Sequence, residues 1–162
     1  MRIAVTGLHA GCRRAPGLAV ALCLQTTGRH DVVGIDYDNL VTGYYAGDFV
    51  QRVVLNWPKD AEALVEQIAA LHQQNCLDVV LPCLNDDIPM FCEAEPSLGS
   101  LGVATLLPPL EGVRARAKPS LPAFAKRLGL SCPKTAVCMS VAEAREAIHQ
   151  IGLPCVIKGA EC

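Results

Sequence analysis

The strongest constraint on this chain is an alternation. From residue 1 to residue 107, short apolar runs are separated by stretches with helical spacing. "IAVT" (Ile3–Thr6) is a β-rich run that ends at Gly7. From Pro16, "PGLAVALCLQTTG" is apolar nearly all round, which predicts a helix packed deep on a sheet with Gly28 at its C-terminal end. "DVVGIDYD" reads as a second strand and "RVVL" (Arg52–Leu55) as a weaker third. In "DAEALVEQIAALHQQ", Leu64, Ile68 and Leu71 recur at helical spacing, and Val65 widens the stripe. "LDVVLPCL" is a nearly continuous apolar run, as in a strand covered on both faces, and "GVATLL" completes the series. Such alternation predicts a parallel, doubly wound α/β sheet with right-handed crossovers.

Pro108–Pro109 marks a boundary, dividing the chain into 1–108 and 109–162. Beyond it, Pro119 suits a first helical position. Leu121, Phe124, Ala125 and Leu128 share one face, and Gly129 closes the helix. "KTAVCM" reads as a strand. Ser140 and Glu143 form a capping box for a helix with Ala144, Ala147, Ile148 and Ile151 inward and Gly152 just past its end. "LPCVIKG" reads as a further strand. A helix between two strands cannot bury its own apolar faces, so this second unit is expected to be incomplete.

Composition narrows the function classes. The chain of 162 residues is 51% hydrophobic, with a mean hydropathy of +0.31 and a net charge of -2. It has no basic tract, so neither nucleic acid nor an anionic membrane is expected as a partner. No stretch approaches the ~18 apolar residues of a membrane span, and "MRIAVTGLHAG" does not read as a secretory signal. The nine cysteines are odd in number and contain no C-x-x-C pair. Most sit in apolar runs, so they are read as reduced thiols acting as small hydrophobes, in a cytoplasmic setting.

Two lysines carry the clearest chemistry. Lys158 ends the apolar "PCVIK" run, where an ammonium is costly unless paired, although such lysines often snorkel to water. Lys118 directly precedes Pro119 at a helix start, where the macrodipole disfavours a cation by ~0.3–1 kcal/mol. A bound anion would satisfy both that lysine and the free N–H groups of the helix end. At ~4 Å and an effective dielectric of ~20, one lysine–phosphate pair is worth roughly 4 kcal/mol before desolvation. The pair together points to a polyphosphate; two surface lysines is the plain alternative.

Other candidates lie in loops after strands. "GLHAGCRRAPG" has glycines at 7, 11 and 17 rather than G-x-G-x-x-G, so dinucleotide binding is poorly supported. Gly7, Arg13 and Arg14 lie there, the arginines placed to hold a carboxylate or phosphate before a helix. Asp36 and Asp38 end the second strand, where a dinucleotide fold places its ribose acid. Asp86 and Asp87 follow the fourth; helix capping is the favoured role, with Asp86 kept as a binding candidate. Among the histidines, only His9 is placed for a role.

The run "AKPSLPAFAKRLGLSCPKT", the capped helix and "IGLPCVIKG" together resemble the opening of an ATP-grasp domain. The matching positions are Lys118, Leu128–Gly129, Pro133, Thr135, Gly152, Pro154, Val156 and Lys158. The resemblance implies a Rossmann-like pre-ATP-grasp domain over 1–108 and an incomplete α+β ATP-grasp portion over 109–162. It further implies that Lys118 and Lys158 contact ATP phosphates and that Mg2+ is held by ligands outside this chain. The expected parent is an ATP-dependent ligase that activates a carboxylate as an acyl phosphate for attack by an amine-type nucleophile. ATP, a small carboxylate or amine substrate, and a second copy in a homodimer are the expected partners. On this reading the chain is an N-terminal fragment, inactive alone. Two alternatives remain open: an NAD(P)-binding oxidoreductase domain, and a non-enzymatic regulatory or docking module.

Overall fold

The computed structural model describes residues 1–9 and 15–159. It divides into two compact units, Met1–Pro108 and Pro109–Cys162. In the first, five parallel strands stand in the order β3-β2-β1-β4-β5. They are β1 (Arg2–Val5), β2 (Asp31–Asp36), β3 (Gln51–Val54), β4 (Val79–Leu81) and β5 (Ala104–Thr105). The helices between them are α1 (Pro16–Gln25), the single turn α2 (Gly43–Ala46), α3 (Ala61–Asn75) and α4 (Ile88–Ser100). This is the doubly wound sheet that the alternation predicts.

Strand alternation sorts the core onto two faces. Ala4, Val33, Ile35 and Val80 pack with Leu64, Ile68 and Leu71 of α3 and with Phe91, Ala94 and Leu98 of α4. Ile3, Val5 and Val32 face the other way, toward Leu18 and Ala21 of α1 and Tyr44 of α2. Gly34 leaves room on that second face: a Cβ there would lie 2.8 Å from Leu8 Cδ1 and 2.9 Å from Phe49 Cδ1.

Helix ends follow local chemistry. Asp60 caps α3 by accepting from the Ala63 N–H at 2.8 Å. Cys76 ends it in the left-handed region, at φ 50°, with its N–H on the His72 carbonyl. Pro89 opens α4 and Pro96 stands inside it. Those prolines hide this helix from a reading by periodicity.

The expectation that α1 lies deep in the core is corrected. Only Gly17 and Ala21 of its residues are buried, while Leu22 is 42% exposed. A helix covering one sheet face buries one stripe, however apolar its other sides are.

The second unit contains α5 (Leu110–Ala115), a 3-10 turn at Lys118–Ser120, α6 (Leu121–Arg127) and α7 (Val141–Ile151). Ser140 caps α7, accepting from the Glu143 N–H at 3.2 Å. Glu143 reaches back to the N–H of Met139, one residue earlier than a standard capping box requires. Gly129 and Gly152 take φ of 67° and 88°, as helix-ending glycines do. The two strands expected at "KTAVCM" and "LPCVIKG" do not form. Each would need a neighbour to satisfy its backbone. Val137, Met139, Val156 and Ile157 are all more than half exposed.

Candidate functional site

The sheet changes winding direction between β1 and β4, because β2 and β3 lie on one side of β1 and β4 and β5 on the other. The crevice beyond the C-terminal strand ends at such a switch is where doubly wound folds place ligands. Thr6, Asp36, Tyr37, Cys83 and Asp87 gather at those ends.

Thr6 continues β1 and is fully buried; its N–H donates to the Leu81 carbonyl and its Oγ accepts the Cys83 N–H at 2.9 Å. Gly7 turns the chain at φ 77°, and its carbonyl receives the Gly17 N–H at 2.9 Å. Asp36, 3% exposed, accepts from the His9 N–H at 2.8 Å and from the Tyr37 N–H at 2.7 Å. It thereby ties the loop after β1 to the end of β2. Asp38 makes a local turn instead, accepting from the Leu40 N–H.

Tyr37 joins two further loops. Its ring meets Trp57 edge-on, with centroids 4.6 Å apart at 66°. Its hydroxyl donates to Asp87 Oδ2 at 3.2 Å. Asp87 occupies the N-cap position of α4, yet its side chain makes no cap hydrogen bond, so the capping role is corrected. Asp86, by contrast, is exposed.

Burial dominates the electrostatics. It lifts the Asp87 carboxyl to about 6 against the pull of the Thr6 and Tyr37 hydroxyls, and the Asp36 charge adds to the rise. Burial, then the Asp87 charge, lifts the Cys83 thiol to about 11. The Tyr37 phenol rises for the same reasons, burial first, and stays neutral. Tyr44, close to Asp36, is pushed up to about 12, again mainly by burial.

Sequence reasoning kept Asp86 as a binding candidate, read Asp87 as a cap and Cys83 as a small hydrophobe, and passed over Thr6, Tyr37 and Trp57. Adjacent Asp86 and Asp87 carry no signal of which turns inward, and a contact between residues 37 and 57 leaves no periodicity. Gly7 stands at the crevice. Arg13 and Arg14 lie outside the described residues.

The lysine pair belongs to the second unit. Lys118 Nζ donates to the carbonyl of Gly159 at 3.1 Å, next in sequence to Lys158. The Lys118 side chain thus reaches the backbone beside Lys158. Lys158 is exposed and lies in extended, unpaired chain rather than at a strand end.

The fold is that of the N-terminal portion of ATP-grasp enzymes. Among solved structures, the chain is similar to glycinamide-RNase-transformylase T from Mycobacterium tuberculosis, at 23% identity and a TM-score of 0.57, over 83% of this chain and 37% of that one. It is similar to L-amino acid ligase from Bacillus licheniformis, at 15% identity and a TM-score of 0.58, over 93% and 42%. A third is the biotin carboxylase domain dimer of Hydrogenobacter thermophilus 2-oxoglutarate carboxylase, in complex with MgADP, ADP and bicarbonate. It matches at 12% identity and a TM-score of 0.56, over 94% and 33%. At these identities the likeness is one of fold, and the chain spans about a third to two fifths of those structures' length. No protein-family model matches the chain, and no curated protein matches it significantly. Among the described residues, no helix is long and apolar enough to cross a membrane.

Proposed function

We propose that this chain is the N-terminal part of an ATP-dependent ligase, with 1–108 as its pre-ATP-grasp domain and 109–162 as the opening of its ATP-grasp domain. The observation that carries the reading is the approach of Lys118 to the backbone beside Lys158, within a fold shared with ATP-grasp enzymes. A polyphosphate, whose charge needs more than one cationic partner, fits a lysine brought to the chain beside a second lysine.

In the proposed reaction a carboxylate oxygen attacks the γ-phosphorus of ATP, and ADP leaves. An amine-type nucleophile then attacks the acyl carbon, and inorganic phosphate leaves. Lys118 and Lys158 hold phosphate oxygens and offset charge that moves toward the leaving ADP. Gly7, Arg13, Arg14 and Asp86 belong to loops that follow the strands and are the candidates for further ligand contacts. Magnesium, when bound, would supply positive charge that offsets the phosphate charge during transfer. Its protein ligands are expected outside this chain. A cytoplasmic location and a homodimer are part of the same reading.

The test has two arms. Calorimetric titration of ATP into residues 1–162 is expected to show weak binding, and micromolar affinity would contradict an incomplete site. The full reading frame that contains this chain is expected to form ADP and phosphate in a carboxylate-dependent manner. ADP formation indifferent to every carboxylate and amine offered would remove the ligase assignment.

A further inference from the structure

The sheet ends at β3, and one face of that strand is thinly covered. The single turn α2, which joins β2 to β3, is roughly 6 Å long beside a strand of roughly 13 Å. Apolar side chains are left in water as a result. Leu40 and Tyr45 of the connection, and Val50 and Val54 of the strand region, are each at least half exposed. Along 48–55 exposed residues alternate with covered ones, and Asp48, Val50, Arg52 and Val54 form the exposed set.

The outer edge of β3 also carries the backbone groups that point away from β2, a template for a further strand. Tyr44 occupies part of it, donating its hydroxyl to the Val53 carbonyl. The end nearer Val50 is therefore the open one.

Two charges decide what fits there. Arg52 is held by its Nε–H, which donates to the Tyr44 carbonyl. It lies two residues after Val50, and Asp48 lies two residues before. Among the described residues neither makes an ion pair. An antiparallel strand with an acid opposite Arg52 and a base opposite Asp48 satisfies both, and this segment is itself such a strand. Turned about a two-fold axis at Val50, it sets Val50 on Val50 and each Arg52 on the other copy's Asp48. Neighbouring registers do worse. An axis at Arg52 opposes two guanidinium groups, and axes at Gln51 or Val53 leave Arg52 facing a valine.

We propose that the β3 edge is the docking surface for a second copy of this chain, joined antiparallel about Val50. The apolar side chains supply the affinity, since exposed ion pairs alone are worth little. The two Arg52–Asp48 pairs fix the register. This contact gives the homodimer of the reading above its surface and rests on that part of the reading alone. Ligase chemistry is measured separately, as ADP formation, and its absence would leave the contact intact.

Sedimentation equilibrium of the 162-residue chain from about 1 to about 100 µM tests it, a range in which small interfaces dissociate. A monomer–dimer equilibrium is expected. Arg52→Glu and Asp48→Arg should each weaken the dimer about tenfold or more, because like charges then face each other. The two changes combined should restore it, since the pairs re-form with their signs exchanged. A monomer at every concentration would leave the edge to some other partner, and association indifferent to the reversals would belong to another surface. Either result, or a double variant as weak as the single ones, would overturn the proposal. If the Arg52 variants do not fold by circular dichroism, Asp48→Arg decides, its side chain being exposed.

Discussion

Gly17 meets Thr6 backbone to backbone: a Cβ on Gly17 would lie 1.8 Å from the Thr6 carbonyl oxygen. No side-chain adjustment relieves such a contact, because its partner is main chain of the central strand. Gly17→Ala must push α1 away from β1 and strain the Gly17 N–H to Gly7 carbonyl bond. A loss of about 3 kcal/mol is expected, at the upper end for overpacking. Urea denaturation measures it, and a loss below 1 kcal/mol would mean that α1 does not approach β1 so closely.

Cys76 offers the opposite test. It holds φ 50° at the end of α3, a conformation that costs most residues roughly 1 kcal/mol and glycine almost nothing. Cys76→Gly is therefore expected to stabilise the chain by about 0.5–1 kcal/mol, despite the added freedom of the unfolded state. A higher midpoint in thermal unfolding would report it.

Asp87 gives stability a particular pH dependence. Its folded value, about 6, lies above its ordinary 3.8, so unfolding at neutral pH releases a strained anion. Its stabilising contribution is complete below pH 3.8 and is lost as pH rises through 6. The sum over that window is about 3 kcal/mol. Asp87→Asn, which cannot ionise, should gain stability relative to the unmodified chain as pH rises from about 4 to about 6, with a constant difference above that. Parallel pH profiles for the two proteins would refute this.

The cysteines should separate by reactivity. Cys83 is held neutral by burial and by the Asp87 charge, whereas Cys23, Cys76 and Cys132 are exposed. Iodoacetamide at pH 8 should modify those three and spare Cys83 until the protein unfolds, as read by peptide mass spectrometry. Early modification of Cys83 would show that the crevice opens readily.

The lysine pair is tested through nucleotide affinity. In the full reading frame, Lys118→Ala and Lys158→Ala should each weaken ATP binding about tenfold to a hundredfold, the range of one lost charged hydrogen bond. Far-ultraviolet circular dichroism should be unchanged for Lys158→Ala, since Lys158 is exposed. An unaltered Kd in both variants would place the phosphates elsewhere.

Legibility differed between the two units. Strands β1, β2 and β4 and helix α3 were readable because burial on both sheet faces leaves apolar runs, and a half-buried helix leaves a stripe, as with Leu64, Ile68 and Leu71. Helix α4 was obscured by Pro89 and Pro96. The strands read at "KTAVCM" and "LPCVIKG" do not form, because β-propensity in isolation supplies no hydrogen-bonding neighbour. At the crevice, Gly7 was marked by its place after an apolar run. Nothing in the order of residues marked Tyr37 as the bridge between Trp57 and Asp87.

Sequence alone determined the parallel sheet and the spacing of two lysines, since both depend on periodicity and on charges set in apolar surroundings. Tertiary structure decided which of two adjacent aspartates turned inward, that one face of α1 stayed in water, and that Lys118 met the chain beside Lys158. Burial and long-range approach arise only when segments distant along the chain pack together, and they set the dielectric and the partners that fix a side chain's chemistry.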